Sequence, residues 1–214
     1  MYDLHTHTLL SDGELLPIEL VRRAAVLGYR IIGITDHVDP TNISPVIRAV
    51  GEVRDTAREF GVEVLTGVEL THIPPALIST LARRAKAEGA DLVIVHGESV
   101  VEPVAPGTNR AACASEAVDI LAHPGLITAE DAAIAAKNHV AIEITARGGH
   151  NRTNGHVFAT ARIAGCRFVI DSDAHGPGDL MTKDARWMVA RGAGMSSGEA
   201  EQALSSDILE WLKQ

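Results

Sequence analysis

The 214-residue sequence lacks most features that would place it in a membrane, in an oxidising compartment or on a nucleic acid. No apolar run approaches the ~20 residues of a membrane span, and Asp3 and His5 stand where an export signal would be apolar. Two distant cysteines, Cys113 and Cys166, predict buried reduced thiols and a cytoplasmic protein. Aromatic residues make up 3% and the formal charge is −9, which argues against nucleic acid as a partner.

The chain has instead a repeated alternation of short apolar runs and amphipathic stretches. The runs are rich in Val, Ile or Leu, as in strands buried on both faces, and the stretches between them predict helices. One α/β domain over residues 1–214 is predicted, with a parallel sheet that is either a barrel or doubly wound. No GxGxxG follows an early strand, which argues against a dinucleotide site. The predicted strands cover residues 1–5, 29–35, 62–69, 91–97, 119–123, 140–145 and 167–173.

Two further segments are predicted from local composition. The stretch ESVVEPVAPGTNRA (98–111) contains Pro103, Pro106 and Gly107, which makes it a candidate lid or binding loop between a strand and a helix. The stretch GEAEQALSSDILEWLKQ (198–214) predicts a final helix.

Six of the ten histidines, together with three carboxylates, lie at or just past the carboxyl ends of predicted strands. Such strand ends meet at one edge of a parallel sheet or barrel, which is where active sites assemble. Residues i and i+2 of a strand share a face, so His5 and His7 should point the same way. Converging imidazoles and carboxylates predict a divalent metal site. The nine residues are His5, His7, Asp12, His37, Glu69, His96, His123, Asp173 and His175.

The motifs DLHTHTLLSDG, GITDH, GVEL, HGE, DILAHPG and DSDAH, in this order, resemble those of the PHP (polymerase and histidinol phosphatase) family. The segments EPVAPGTNRA and EITARGGHNRTNGH are similar to the stand-alone phosphatases of that family. The resemblance implies a distorted (β/α)7 barrel, with up to three divalent ions (Zn, Mn or Fe) at the carboxyl ends of the strands.

The resemblance also distributes the ligands among three ions and implies that Glu69 bridges two of them. Glu69, Asp173 and His175 are the expected catalytic residues. The implied sets are His5, His7, Glu69 and Asp173; Glu69, His96 and His123; and Asp12, His37 and His175.

The activity that the resemblance implies is hydrolysis of a phosphate ester of a small metabolite: histidinol phosphate, a nucleotide or a sugar phosphate. Three divalent ions, three carboxylates and a bridging hydroxide sum to about +2, which suits a phosphate dianion. The expected nucleophile is a hydroxide formed from a metal-coordinated water. A metal-dependent amidohydrolase and a PHP-type nuclease or proofreading enzyme are the alternatives. All nine positions are filled, which argues against a non-catalytic module.

Residues outside the predicted ligand set remain open to two interpretations. Arg147 and His150 follow the sixth predicted strand, and Arg110 lies in the candidate lid, so each is either a substrate-binding residue or a surface-loop residue. Asp36 either orients a ligand imidazole or caps the next helix. The oligomeric state is not predicted.

Overall fold

The computed structural model describes residues 1–207 and residue 210, and strands alternate with helices along them. Within these residues, no helix is both long and apolar enough to cross a membrane. The predicted final helix is present only over Ser197–Leu204, because residues 205–207 are no longer α-helical, and its residues 208, 209 and 211–214 lie outside the described residues. The strands are β1 (Tyr2–Thr6), β2 (Ile31–Ile34), β3 (His37–Val38), β4 (Glu63–Leu70), β5 (Leu92–His96), β6 (Ile120–Ala122), β7 (Ala141–Thr145) and β8 (Phe168–Asp171). The helices are α1 (Pro17–Leu27), α2 (Ile43–Gly51), α3 (Arg54–Glu59), α4 (Pro75–Ala87), α5 (Thr108–Cys113), α6 (Ala129–Lys137), α7 (Asn154–Ala164), α8 (Lys183–Gly192) and α9 (Ser197–Leu204), and a 3-10 turn spans His150–Thr153.

The strands form one parallel sheet in the order β1-β2-β4-β5-β6-β7-β8, which curls into a nearly closed barrel surrounded by the helices. The short β3 also pairs with β4, so β2 and β3 are one strand interrupted at residues 35–36. The predicted distorted seven-stranded barrel is confirmed. A large apolar core lies between sheet and helices, and a smaller one fills the barrel interior.

A bulge in β1 directs the first histidine into the barrel. Asp3 pairs with Ile32 and Thr6 pairs with Ile34, so β1 advances three residues where β2 advances two. The additional residue of β1 forms the bulge. Leu4 packs in the inner apolar cluster, and His5, the next residue, also points into the interior. A Cβ on Gly33 would lie 2.5 Å from the carbonyl oxygen of Leu4, so the glycine permits the close approach of the two strands.

Between β1 and β8, acidic side chains replace part of the regular ladder. Oδ1 of Asp171 accepts a hydrogen bond from the backbone N–H of Leu4 at 2.8 Å. Oδ1 of Asp3 accepts one from the N–H of Ser172 at 3.2 Å. Both carboxylates are completely buried, and burial raises the pKa of each, most strongly that of Asp171. The barrel therefore closes through two buried acids that need compensation.

Arg186 from α8 supplies the compensating positive charge. Its side chain is 2% exposed, and Nη2 donates to the carbonyl oxygen of Ile170 at 2.8 Å. Its guanidinium lies 4.4 Å from the ring centroid of Tyr2. The hydroxyl of Tyr2 accepts from the N–H of Ile170 at 3.2 Å and donates to the carbonyl oxygen of Ala203 at 2.5 Å. These contacts attach α8 and α9 to the closing strands.

Candidate metal centre

All nine predicted ligands lie at the carboxyl end of the barrel, on the ends of successive strands or the loops that follow them. Six are buried, whereas His37, His175 and Asp12 lie nearer the solvent. His37 begins β3 rather than ending β2, because the strand is interrupted at residues 35–36. The cluster therefore extends from a dry interior to an accessible mouth.

His5 and His7 reach the same pair of carboxylates, as expected for residues two apart in a strand. Nε2 of His5 lies 3.4 Å from Oε1 of Glu69 and 3.9 Å from Oδ1 of Asp173. Nε2 of His7 lies 3.7 Å from Oε2 of Glu69 and 3.3 Å from Oδ1 of Asp173. Atoms bound tetrahedrally to one Zn²⁺ are about 3.4 Å apart, so these separations suit ligands of a shared ion.

A second group lies toward the solvent. Oδ1 of Asp12 lies 3.6 Å from Nε2 of His37 and 3.3 Å from Nε2 of His175. His7 contributes a ring nitrogen to this group as well, all four ligand atoms lying within 4.8 Å of one another. The predicted trio of Asp12, His37 and His175 is therefore assembled in space, with His7 between it and the buried group.

The third group contains His150, which the sequence predicts as a substrate-binding or surface-loop residue and not as a metal ligand. His96 and His123 lie together as expected, and a ring nitrogen of His150 lies within 4.8 Å of theirs. His123 also faces the buried group, with Nε2 3.6 Å from Oε1 of Glu69 and 3.7 Å from Oδ2 of Asp173. His150 therefore belongs geometrically with the imidazoles, although it was expected among the substrate-binding residues.

Glu143, which is not among the residues predicted from the sequence, contacts two histidines from the middle of β7. Its Oε1 lies 2.7 Å from Nδ1 of His5, and its Oε2 accepts the backbone N–H of His123 at 2.9 Å. A carboxylate on Nδ1 leaves Nε2 as the ligand atom and orients the ring. The available signal was a lone glutamate inside the apolar run VAIEIT, since a buried strand rarely contains an unpaired charge.

Two candidate ligands have backbone conformations that side chains rarely adopt. Asp173 has φ of 52° and His123 has φ of 26°. Such left-handed positions cost about 1–3 kcal/mol and persist where the surrounding structure imposes them. Their occurrence at two strand ends of this cluster is consistent with a functional site.

Asp36 holds the loop that presents Asp12, and it neither orients an imidazole nor caps a helix. Its Oδ1 accepts from the N–H of Thr8 at 2.7 Å and from the hydroxyl of Ser11 at 2.7 Å. Its Oδ2 accepts from the hydroxyl of Thr8 at 2.8 Å. A Cβ on Gly13 would lie 2.5 Å from the carbonyl oxygen of His7, so the loop is tight.

The three predicted substrate-binding residues have different environments. His150 is 7% exposed and lies within the imidazole cluster. Arg147 is one-third exposed, with Nη1 3.4 Å from Oδ2 of Asp179. Arg110 is ion-paired with Asp131 at the first turn of α6, a contact between outer helices. The Asp131 pair engages this guanidinium, and substrate binding by Arg110 stays a prediction.

Opposite charges within the cluster shift its pKa values. Burial alone would lower the pKa of His5, but Glu143 and Glu69 outweigh burial and raise it well above the usual value. Burial also opposes the charge on His37, yet Glu69 raises its pKa to about 9. Burial would raise the pKa of Glu69, but His5 and His37 hold it well below its usual range. Burial lowers the pKa of His7 to about 4. The Glu69 carboxylate is therefore ionised, and a bound cation would displace the protons of His5 and His37.

The donor set fits divalent cations. Buried polar atoms are normally hydrogen-bonded, yet Nε2 of His5, Nε2 of His7 and Oε1 of Glu69 are buried without a hydrogen-bond partner. These three atoms face one another and are ligand types that Zn, Mn and Fe accept. A shared cation would satisfy all three.

Family membership follows from comparison with known proteins. The family model described as PHP domain matches residues 3–143. The chain belongs to the PHP family, as the motif series indicated.

Two relatives match this chain over nearly its full length. The uncharacterized protein MJ1295 of Methanocaldococcus jannaschii is 47% identical over 100% of this chain and 99% of its own length. Ribonuclease P protein component 3 of Methanosarcina mazei is 30% identical over 96% of this chain and 85% of its own length.

Solved structures share the fold at low sequence identity. A chain in a cryo-EM structure of archaeal ribonuclease P with mature tRNA superposes with a TM-score of 0.72 at 17% identity, covering 100% of this chain and 91% of that chain. Histidinol phosphate phosphatase of Lactococcus lactis, complexed with zinc, L-histidinol and phosphate, gives a TM-score of 0.65 at 16% identity, covering 91% and 94%. Both likenesses support the barrel fold.

Proposed function

We propose that this protein hydrolyses a phosphate ester of a small metabolite with the help of up to three divalent ions, Zn, Mn or Fe. The observation that carries the proposal is the set of unpartnered, buried imidazole and carboxylate atoms that converge at the barrel mouth. Histidinol phosphate, a nucleotide and a sugar phosphate are the candidate substrates. A phosphate group fits a site whose bound cations would outnumber its carboxylate charges.

The chain's own residues divide the work by position. Ions in the buried interior would be held by His5, His7, Glu69 and Asp173. An ion at the solvent-accessible mouth would be held by Asp12, His37 and His175, and an ion in the third group by His96 and His123. Bound ions supply Lewis-acid polarisation of phosphoryl oxygens and lower the pKa of a coordinated water.

Glu69, Asp173 and His175 are proposed as the catalytic residues. Glu69 directs one oxygen toward His5 and the other toward His37, so it would align two groups of ligands. Asp173 lies between the buried ligand group and the group at the mouth. Its Oδ1 is 3.4 Å from Nδ1 of His175 and 3.3 Å from Nε2 of His7. His175 at the mouth is placed to approach an incoming phosphate.

Arg147 is the proposed phosphate-positioning residue. Asp179 accepts hydrogen bonds from the backbone N–H groups of His175 and Gly176, at 2.9 and 2.8 Å, and also contacts Arg147. The guanidinium is thereby held beside the loop that contains His175. A partly exposed arginine in this position can donate two parallel hydrogen bonds to a phosphate.

Arg147→Ala is expected to raise the KM for p-nitrophenyl phosphate about tenfold and to raise the inhibition constant of inorganic phosphate by the same factor. The reason is that a charge-assisted hydrogen bond contributes about 1.5–3 kcal/mol when it is not screened by solvent. The value of kcat should change much less. Arg152→Ala removes an exposed arginine five residues along the same loop and is the matched control. Equal effects from the two variants would contradict a specific role for Arg147.

A second candidate is hydrolysis of an RNA phosphodiester or service in an RNA-processing complex. The resemblance over nearly the full chain to ribonuclease P protein component 3 of Methanosarcina mazei supports it. The formal charge of −9 does not favour an extended nucleic-acid surface. We therefore rank RNA below small phosphate esters.

The deciding experiment is a substrate panel of phosphate monoesters, phosphodiesters, short RNA oligonucleotides and amides, assayed after chelation and again after adding back Zn²⁺ or Mn²⁺. Hydrolysis of monoesters that disappears on chelation and returns with metal is the expected result. Preferential cleavage of RNA would favour the second candidate, and cleavage of amides alone would favour an amidohydrolase. Monoester hydrolysis that survives complete chelation would overturn the mechanism.

A further inference from the structure

The loop between β5 and α5 covers one side of the candidate metal centre, and the sequence motifs predict no metal ligand within it. We call residues 99–106 the covering loop. Its base is closed by Glu98 and Asn109: Oε1 of Glu98 accepts the N–H groups of Gly107 and Asn109 at 3.0 and 2.9 Å. Oδ1 of Asn109 accepts the N–H of Glu98 at 2.9 Å. Fixed ends limit the positions that the tip can reach.

The tip of the covering loop rests against the turn that contains His150. Gly149 has φ of 94°, and a Cβ built on it would lie 3.4 Å from Cγ1 of Val101, an ordinary van der Waals distance. Glycine therefore permits the turn, and Val101 packs beside it. Val101 remains 41% exposed and its neighbour Val100 49% exposed, so the tip lies on the surface rather than in the core.

Glu102 extends from this tip to two imidazoles of the third group. Its Oε2 lies 3.0 Å from Nε2 of His96, and its Oε1 lies 3.3 Å from Nε2 of His150. His96 and His150 are 3% and 7% exposed, whereas the Glu102 side chain is 37% exposed. A partly exposed carboxylate thus completes a buried set of imidazoles.

Three imidazoles and one carboxylate form a complete ligand set for a tetrahedral divalent ion. One ring nitrogen from each of His96, His123 and His150 lies within 4.8 Å of the other two, so the three imidazoles are close enough to share one ion. A catalytic ion needs a position that substrate can occupy, and the least constrained of the four ligands is the one on the loop.

We infer that Glu102 and His150 complete a four-ligand cation site with His96 and His123, and that a substrate phosphate replaces Glu102 when it binds. The inference rests on the proposed function in requiring a divalent ion at this centre. It assigns His150 to the ion rather than to the substrate. It also makes the covering loop a competitor for the phosphate.

The test is titration of the metal-free protein with Co²⁺, whose visible absorption reports ligand number and geometry. Glu102→Gln is expected to change the absorption spectrum and to weaken one bound ion at least about tenfold. His150→Asn should weaken the same ion. Glu116→Gln, an exposed residue at the amino end of the barrel, and His139→Asn, whose left-handed backbone asparagine tolerates, are the matched controls.

Inorganic phosphate tests the exchange. It should change the Co²⁺ spectrum of the wild type, and it should change that of Glu102→Gln at a lower phosphate concentration, because no carboxylate then competes for the ion. A Glu102→Gln protein with wild-type affinity and spectrum would overturn the ligand assignment, and an unchanged wild-type spectrum in phosphate would overturn the exchange. If the wild type binds no Co²⁺, both this inference and the proposed function fail. If the wild type binds Co²⁺ and both variants bind it with the same affinity and spectrum, this inference alone fails and the proposed function stands.

Discussion

Glu69→Gln is expected to abolish most turnover and to reduce the number of bound divalent ions per chain. Glu69 is fully buried, and its oxygens face different ligand groups: Oε1 lies 3.6 Å from Nε2 of His123, and Oε2 lies 2.6 Å from Nδ1 of His37. An amide is nearly the same size but carries no charge, so the volume is kept while the anion proposed to bridge two ions is lost. Lewis-acid stabilisation contributes several kcal/mol, which predicts a decrease in kcat of roughly 10³-fold.

Metal content by elemental analysis and kcat on the best ester of the panel check this expectation. Glu63→Gln is the matched control, because Glu63 begins the same strand at the opposite, amino end and is exposed. The control should retain metal content and turnover. A Glu69→Gln protein that retains all its metal and its full kcat would exclude the bridging role.

Arg186→Met is expected to cause the largest loss of stability of any single change considered. It removes the buried guanidinium beside Asp3 and Asp171 while keeping most of the side-chain volume. The guanidinium opposes the effect of burial on the pKa of both carboxyl groups without a direct ion pair to either. Removing one partner of a direct buried ion pair costs about 3–5 kcal/mol, which sets the upper end of the expected loss. Urea unfolding followed by circular dichroism measures the free energy of unfolding.

The loss should depend on pH in a defined direction. Burial raises the pKa of Asp171 above its unfolded-state value of 3.8, and removing Arg186 would raise it further. The neutral acid is then favoured in the folded state, so the stability of each protein decreases as the pH rises above the unfolded-state pKa of about 4. That unfolded-state pKa is the same in both proteins, so the contribution of Asp171 to their difference begins only above its folded-state pKa in the wild type, which is well above 3.8. The difference between wild type and variant should therefore be smallest near pH 4 and increase toward alkaline pH.

Arg23→Met is the control for this comparison. Arg23 forms an exposed i,i+4 pair with Glu19 on α1, and such pairs contribute about 0.3–0.5 kcal/mol. It should change the unfolding free energy by no more than about that amount at either pH. A similarly small loss for Arg186→Met would show that the buried charges at the barrel closure are compensated by other groups.

The architecture and the location of the candidate site could be predicted from the sequence because both depend on local order along the chain. Short apolar runs alternating with amphipathic helices specify parallel strands, and parallel strands place their carboxyl ends together. His5, Glu69 and His96 lie within the last two residues of β1, β4 and β5, and His123 and Asp173 lie just past β6 and β8. Their convergence therefore required no knowledge of side-chain distances.

The remaining features depend on contacts between distant segments. The bulge in β1 depends on pairing with β2, and the closure by Asp3, Asp171 and Arg186 depends on where the two ends of the sheet meet. No periodicity in the sequence encodes either contact. A buried acid and its arginine become recognisable as partners only when the burial of both is known.

The sequence by itself determined the class of fold, the end of the barrel that holds the site, and nine of the residues that converge there. Tertiary structure alone decided how these residues divide into groups. It brought His150 and Glu102 to His96, placed Glu143 behind His5, and directed Arg110 to Asp131. The physical reason is that strand order fixes the end of the barrel at which a residue lies. The side-chain distances within that end depend on loops, bulges and glycine turns, whose packing is not periodic in sequence.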